Sequence, residues 1–465
     1  MALIKSISGI RGTIGGTAGD NLTPEDIVTS VAGFATMLLN KYTAPTVVIG
    51  RDARISGALI NNMVCSTLQM MGIHVIDLGL STTPTVEVAV VRENAHAGII
   101  LTASHNPKEW NALKLLNKKG EFLSARDGQT ILDIIQNGAI EYAPVDQLGT
   151  YRNVSGYVEK HIKEILELPL VNVKNIQKKG FKVVVDCINS TGAMAIPPLL
   201  NALGCEVILI NDEMTGNFAH NPEPLPAHLK DLSQTVVSKK AQLGISVDPD
   251  VDRLAFVCED GEMFGEEYTL VAIADYILKH KKGNTVSNLS STRALRDVTE
   301  KHGGVYHAAA VGEVNVVAKM KEVNAVIGGE GNGGVIYPDA HYGRDALVGI
   351  ALFLSHLADF DKPTSFLRAT YPSYVISKNK IQLTPKIDVD FLLAKLEDKY
   401  KNYPINTIDG LKIEIDKDWI HLRKSNTEPI IRIYSESNSK VVADNLAKKI
   451  QQDVQEILKN MNVLY

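Results

Sequence analysis

Asp248, Asp250 and Asp252 stand at alternate positions in Asp248-Pro249-Asp250-Val251-Asp252-Arg253, directly after the apolar run 243–247. Three carboxylates at i, i+2 and i+4 face one way on extended backbone. Packed together they repel unless a divalent cation neutralises them, and oxygen ligands select Mg²⁺ or Ca²⁺. With Glu259 they also match positions 1, 3, 5 and 12 of an EF-hand loop. That loop needs glycine at its sixth position for the sharp turn, and Arg253 stands there. Leu254-Ala255-Phe256-Val257 instead reads as the return strand of a hairpin closed at Glu259-Asp260-Gly261. The plainer alternative is a solvated acidic turn, but three aspartates are too many for a cap.

A second candidate is Thr102-Ala103-Ser104-His105-Asn106-Pro107, after the buried-strand run 97–101. Asn-Pro ends a strand, because the residue before proline avoids the helical region. Ser104 is thus expected on a short, rigid loop at a strand's C-terminal end, where open α/β sheets bind ligands. The alternative is an ordinary Ser/Asn/Pro turn. In Gly328-Gly329-Glu330-Gly331-Asn332-Gly333-Gly334 the glycines let backbone approach a ligand, and Glu330 and Asn332 could bond sugar hydroxyls. It is no dinucleotide fingerprint, because Tyr337-Pro338 follows where a helix should start. Arg423-Lys424-Ser425-Asn426-Thr427-Glu428-Pro429, with Arg432 beyond, gathers hydroxyls, an amide and arginine in one turn between strands. That is the chemistry of a phosphate cradle.

The elements that must hold these loops repeat. Strand 46–50, polar loop Arg51-Asp52-Ala53-Arg54, helix 57–71 and strand 74–78 recur as strand 182–186, loop 187–192, helix 193–203 and strand 206–210. They recur again as strand 285–289, loop 290–292, a helix to His302 and strand 304–307. This element order predicts three similar α/β units. Residues 1–16 read as one short strand and a glycine turn at Ser8-Gly9-Ile10-Arg11-Gly12, and a helix follows over 24–41, with proline in its first turn. From about residue 371 strands at 373–383, 411–416, 419–423 and 430–435, with helices at 388–401 and 439–460, predict an α+β tail.

The 465 residues exceed one ordinary core. With 45% apolar and 22% charged residues the composition is that of a soluble globular protein, and a net charge of −5 argues against nucleic acid as main partner. Cys65, Cys187, Cys205 and Cys258 lack metal spacing and lie in apolar surroundings, so reduced core thiols are expected. The first residues carry no signal-peptide core and no run of eighteen apolar residues occurs, so a cytoplasmic protein with no membrane partner is expected.

In this order the four stretches resemble those of the α-D-phosphohexomutases: phosphoglucomutases, phosphomannomutases and phosphoglucosamine mutases. Thr102 to Pro107 resembles the phosphoserine loop, Asp248 to Arg253 the metal loop, Gly329 to Gly334 the sugar loop and Arg423 to Pro429 the C-terminal phosphate loop. Ser8 to Gly12 and Gly50-Arg51-Asp52 fit the family's first domain. The resemblance implies an α/β chain of three similar mixed α/β domains plus a C-terminal α+β domain around a central cleft. The units would be 1–152 (phosphoserine), 153–257 (metal), 258–370 (sugar) and 371–465 (phosphate), the last swinging to close the cleft. It implies transfer of a phosphoryl group between phospho-Ser104 and a hexose phosphate through a hexose 1,6-bisphosphate. One Mg²⁺ would sit on Asp248, Asp250, Asp252 and the Ser104 phosphate, with Arg11 and Arg253 adding positive charge. Lys114 would be the general base, its pKa lowered by burial and a neighbouring cation, with His105 the rival. Glu330 and Asn332 would meet the sugar, and Arg423, Ser425, Asn426, Thr427 and Arg432 the distal phosphate.

Three departures bear on the expectation. Pro249 replaces the usual small residue of the metal loop. The sugar loop lacks the frequent histidine, and Glu313, after Gly312, stands where some glucose and mannose members carry another. The form Glu330-Gly331-Asn332-Gly333-Gly334 resembles archaeal-type members assigned to glucosamine or mixed hexose phosphates. The expected partners are therefore small hexose phosphates, glucosamine phosphate foremost, for a monomer or homodimer. A phosphatase could use the same serine and metal but needs no distal phosphate cradle. A dead sugar-phosphate-binding relative would have lost Ser104 or an aspartate, and neither is lost.

Overall fold

The structure is a computed structural model of the chain and describes residues 3–6, 9–382, 387–424 and 430–460. Four sheets organise it. Three share one plan. In each, the first strand lies between the second and the third, all three run parallel, and a hairpin returns from the third into an antiparallel fourth.

In the first sheet these strands are Thr46–Arg51, His74–Leu80, Ala97–Leu101 and Trp110–Asn117. In the second they are Lys182–Asp186, Glu206–Ile210, Leu243–Val247 and Leu254–Cys258. In the third they are Asn284–Asn288, Tyr306–Ala309, Ala325–Glu330 and Gly334–Ile336. The central strands read Ala-Gly-Ile-Ile-Leu, Leu-Gly-Ile-Ser-Val and Ala-Val-Ile-Gly-Gly-Glu, buried at every residue. Such runs suit parallel strands covered on both faces. The three similar α/β units are thus borne out, and the three hairpins that follow the third strands carry Ser104, the aspartates and the sugar-type loop.

The first sheet is extended at its edges. Gly9–Thr13 pairs antiparallel with Trp110–Asn117, so the expected glycine turn at 9–12 is a strand instead. Ile10 provides the reason, because it is buried against the first core and pairs with Leu113. The third unit's second strand begins at Tyr306, two residues later than expected, because His302 and Gly303 form the turn and Gly304 follows it outside the strand.

The helix Ala346–Phe360 is buried along 13 of its 15 residues. A helix apolar all round belongs inside. Its Phe353 stacks on Phe256 of the second sheet, with ring centroids 3.8 Å apart, and one continuous core joins the second and third units. The last sheet is wholly antiparallel, in the order Val375–Gln382, Ile430–Ser437, Asp418–Lys424, Leu411–Ile415, Ile405–Asn406. Helices Val389–Lys399 and Lys440–Asn460 build its core. This unit rests on the third one through polar contacts: the buried Lys412 Nζ donates to Leu289 O (2.7 Å), Arg293 N donates to Glu436 Oε1 (2.8 Å), and the partly exposed Arg296 forks onto Glu414. All four cysteines are buried and free, as expected. No helix among the described residues is long and apolar enough to cross a membrane.

Candidate active site

Ser104 sits at φ +51°, a left-handed conformation that non-glycine residues adopt at a cost. Its backbone N donates to Thr102 Oγ1 (2.9 Å), and Thr102 Oγ1 donates in turn to Asp52 Oδ2 (2.6 Å). The fully buried Arg54 holds the rest of the loop. Its guanidinium donates to the carbonyls of Ser104 (2.5 Å), Asn106 (2.6 Å), Pro107 (2.6 Å) and Trp110 (2.9 Å), and its Nε to Asp52 (3.1 Å). The planar five-donor fork suits such a role where lysine would not. The serine hydroxyl thereby points out of its own hairpin and donates to Asp248 Oδ2 of the second hairpin, 2.6 Å away.

The three aspartates are wholly buried, so the solvated acidic turn is excluded. They converge through a tight turn rather than extended backbone, because Val251 adopts φ +62°. Asp248 Oδ1 accepts from the N–H groups of Asp252 and Arg253 (3.1 Å each) and closes the turn. The Pro249 carbonyl accepts from Ser190 Oγ (2.7 Å) and Thr191 Oγ1 (2.8 Å), so proline fits where an N–H is not needed. One oxygen from each aspartate lies within 4.8 Å of the others, while Asp250 Oδ1 and Asp252 Oδ1 are buried without a hydrogen-bond partner. Orphaned buried carboxylate oxygens are costly. An all-oxygen set of this kind fits a hard divalent cation.

Cations close the site. Lys114 Nζ donates to Asp250 (2.7 Å) and Asp252 (3.3 Å), and Arg344 Nη2 donates to Asp252 (2.6 Å). Arg11 donates to Asn106 Oδ1 (2.9 Å), and Arg253 pairs with Glu223 (3.3 Å). Burial, then Asp250 and Asp252, push Asp248 well above the usual carboxylate range. Burial would raise Asp252 too, but Arg344, Lys114 and Arg253 outweigh it and hold it low. Lys114 departs from expectation. Burial alone would lower it, yet Asp250 and Asp252 outweigh burial and raise it, so in this state it keeps its proton. His105 moves the other way. Burial, then Arg253 and Arg11, hold its imidazole neutral, with Nδ1 3.4 Å from Ser104 Oγ.

The third hairpin abuts the second. Gly333 O accepts from Leu254 N (3.1 Å), and a Cβ on Gly333, at φ +87°, would fall 2.2 Å from Leu254 O. Glu330 is tied into protein. Its Oε1 accepts from Asn288 Nδ2 (2.8 Å) and Gly312 N (3.1 Å), and its Oε2 from Arg344 Nη1 (2.7 Å). Two donors saturate Oε1, and Oε2 keeps room for one more. Asn332 Oδ1 accepts from Gly334 N (3.2 Å), leaving its NH₂ without a partner among the described residues. Glu313 accepts from Arg344 N (3.1 Å) and pairs with Arg344 Nε, and burial pushes its carboxyl up to about 7.

The structure therefore brings Ser104, His105, Lys114, Arg11, Arg253 and the aspartates together, with Glu330 one arginine away. Arg423 and Arg432 lie in the last sheet, directly opposite each other on paired strands. Ser425, Asn426 and Thr427 lie outside the described residues. Sequence reading passed over Arg54, Thr83 and Arg344. Thr83 Oγ1 donates to Asp250 Oδ2 (2.5 Å). The available signals were a charged pair after a strand (Asp52, Arg54) and another just ahead of a mostly apolar helix (Arg344, Asp345).

A serine hydroxyl seated on clustered carboxylates and ringed by cations defines a phosphoryl-transfer protein built on a thrice-repeated α/β sheet. The chain matches the models of phosphoglucomutase/phosphomannomutase α/β/α domains I (residues 3–141), II (157–261) and III (265–374) and of its C-terminal domain (380–452). It is 34% identical over 445 residues to a probable phosphoglucosamine mutase of Methanopyrus kandleri, covering 94% of this chain and 95% of that one. It is equally 34% identical over 435 residues to a phosphoglucomutase/phosphomannomutase of Thermococcus kodakarensis (92% and 94% covered). Among solved structures it resembles a phosphoglucomutase/phosphomannomutase family protein of Burkholderia thailandensis, with TM-score 0.83, 26% identity, and 98% and 97% of the two chains covered. The chain belongs to the phosphoglucomutase/phosphomannomutase, or α-D-phosphohexomutase, family and is a phosphohexomutase.

Proposed function

We propose that this phosphohexomutase interconverts glucosamine 6-phosphate and glucosamine 1-phosphate through phospho-Ser104 and the 1,6-bisphosphate. The observation that carries the reading is the 2.6 Å contact of Ser104 Oγ with Asp248 Oδ2, joining the first hairpin to the second. Each proposed unit (1–152, 153–257, 258–370, 371–465) lends one loop. The bond from phosphorus to Ser104 Oγ breaks as a bond to the free sugar hydroxyl forms, and that hydroxyl gives up its proton. The bisphosphate then reorients and its other phosphate returns to Ser104. Asp248, Asp250, Asp252 and an oxygen on Ser104 would hold one Mg²⁺, which would neutralise charge on the phosphoryl group and on the aspartates that keep Lys114 protonated. Lys114 Nζ takes the hydroxyl proton, and His105, uncharged beside Ser104, shapes the loop. Arg11 and Arg253 stabilise charge at the transferring group.

Arg423 and Arg432 are assigned to the distal phosphate with Ser425, Asn426 and Thr427. The two residues pair directly across adjacent strands, so one phosphate would meet two guanidinium groups there. Glu330 and Asn332 are assigned to sugar hydroxyls, Glu330 through the free place on Oε2. Glu313 supports the amino sugar, because a 2-ammonium group needs an acidic neighbour and this carboxylate lies beside Glu330 across Arg344. A cytoplasmic monomer or homodimer completes the proposal. The test is a matched assay on glucosamine, mannose and glucose 6-phosphates with Mg²⁺ and a trace of bisphosphate. A clear preference for glucosamine 6-phosphate is expected. A preference for glucose or mannose overturns the substrate, and release of free phosphate without any 1-phosphate overturns the transfer to sugar.

A further inference from the structure

Behind the aspartates lies a second cluster that the reaction does not use. We propose that His161, His341 and Asp345 form a separate site for a zinc-class divalent transition-metal ion, clamping three parts of the chain together. His161 lies on the helix Tyr157–Leu166, and Asp345 caps the helix Ala346–Phe360. The Nε2 atoms of His161 and His341 approach one oxygen, Asp345 Oδ2, at 3.0 and 3.1 Å. Ligands of a tetrahedral zinc ion stand about 3.3 Å apart, so both nitrogens already stand near that spacing from the carboxylate oxygen, and all three atoms lie within 4.8 Å of one another. Asp345 Oδ1 is occupied with Leu347 N (2.8 Å) and Val348 N (3.2 Å), which fixes the orientation of the carboxylate.

The far side of each imidazole is also arranged. His161 Nδ1 meets Thr85 Oγ1 at 3.0 Å, and His341 Nδ1 faces Glu87 Oε2 at 3.4 Å. Metal-ligating histidines use the opposite ring nitrogen as His161 does here, to fix tautomer and ring angle. Glu87 is the independent sign. It is 1% exposed, and neither carboxylate oxygen has a hydrogen bond. The segment 341–345 wraps it so closely that a Cβ on Gly343 would fall 1.8 Å from Glu87 Oε2.

The site sits where it can stiffen the reaction centre. Thr83, on the same helix as Thr85 and Glu87, holds Asp250, and Arg344, next to Asp345, holds Asp252. The competing arrangement is a metal-free relay with both imidazoles protonated. The experiment uses the full chain, stripped with a chelator and then loaded with Co²⁺ or Zn²⁺. Tetrahedral Co²⁺ with imidazole ligands gives strong visible bands, unlike octahedral Co²⁺ on carboxylates. We expect about one tightly held equivalent per chain with the tetrahedral spectrum, kept in Asp250→Asn and lost in His341→Gln and His161→Gln. A wild-type chain that holds no zinc and shows no tetrahedral cobalt band overturns the site, as does a band that survives both histidine substitutions.

Discussion

The hairpins after Leu101 and after Val247 occupy the same place in two copies of one sheet, yet they are stiffened in opposite ways. Each contains a non-glycine residue in left-handed backbone, Ser104 and Val251. The serine hairpin is held from outside, by four carbonyls on Arg54. The aspartate hairpin is closed from inside, by Asp248 Oδ1 on two of its own N–H groups, and receives two donors from the neighbouring loop, Ser190 and Thr191 on Pro249 O. The difference follows from what each must present. The one hydroxyl of Ser104 is turned outward, so the loop's inner support is the single bond from Ser104 N to Thr102 Oγ1, and a buried fork grips the rest of its backbone. A carboxylate has two oxygens, and Asp248 uses one to close its turn and the other to meet Ser104.

The largest effect should separate the two hairpins by chemistry. Ser104→Ala removes the phosphoryl carrier and should lower kcat by on the order of 10⁵-fold or more, leaving the melting temperature nearly unchanged. Asp248→Ala should lose activity and also destabilise the chain, because its turn loses both inner bonds. Steady-state kinetics with calorimetry on both variants checks this. Equal, near-zero stability changes would show that Asp248 does not brace its loop.

Next in size is the outer brace. Arg54→Met leaves four carbonyls and a buried Asp52 without their donor, and breaking such a buried pair costs about 3–5 kcal/mol. Arg54→Lys keeps the charge but not the fork, and should recover only part of the stability. Denaturant unfolding checks both. If lysine restores full stability, charge rather than geometry holds the serine hairpin.

How much of this was visible beforehand follows the same division. Buried strands such as Ala97–Leu101, Lys182–Asp186 and Leu243–Val247 were legible to the residue, because an apolar run between polar breaks fixes both ends. The aspartates and Ser104 were legible because their chemistry is local in sequence. Arg54 and Arg344 were not, because their partners lie about fifty and ninety residues away and nothing near them marks the distance. Lys114 misled for the same reason. Its burial was readable, but the two aspartates that reverse the direction of its shift come from another unit.

The third hairpin offers a pH test. Burial raises Glu313 from the ordinary 4.5 to about 7. Its contribution to stability is therefore full below the ordinary value and is lost as pH rises through about 7. A substrate ammonium beside it favours the ionised form. KM for glucosamine 6-phosphate should therefore fall about tenfold across this range, while KM for glucose 6-phosphate stays level. Glu313→Gln should flatten the first profile onto the second. Parallel profiles for both sugars in the wild-type chain would remove Glu313 from sugar choice.

The smallest effect concerns the two left-handed residues. A β-branched side chain at φ +62° is strained by about 1–3 kcal/mol, and glycine relieves that strain at an entropic cost of about 1 kcal/mol. Val251 is also fully buried, so Val251→Gly gives up apolar contact worth about 1.5–3 kcal/mol. The terms nearly cancel, and a net loss of about 1 kcal/mol is expected. Ser104→Gly has no comparable burial of apolar surface to lose and should be neutral or slightly stabilising while inactive. A larger loss at Ser104 than at Val251, measured by denaturant unfolding, would mean that the serine hairpin depends on its own side chain as much as the aspartate hairpin does, and the contrast between outer and inner bracing would fail.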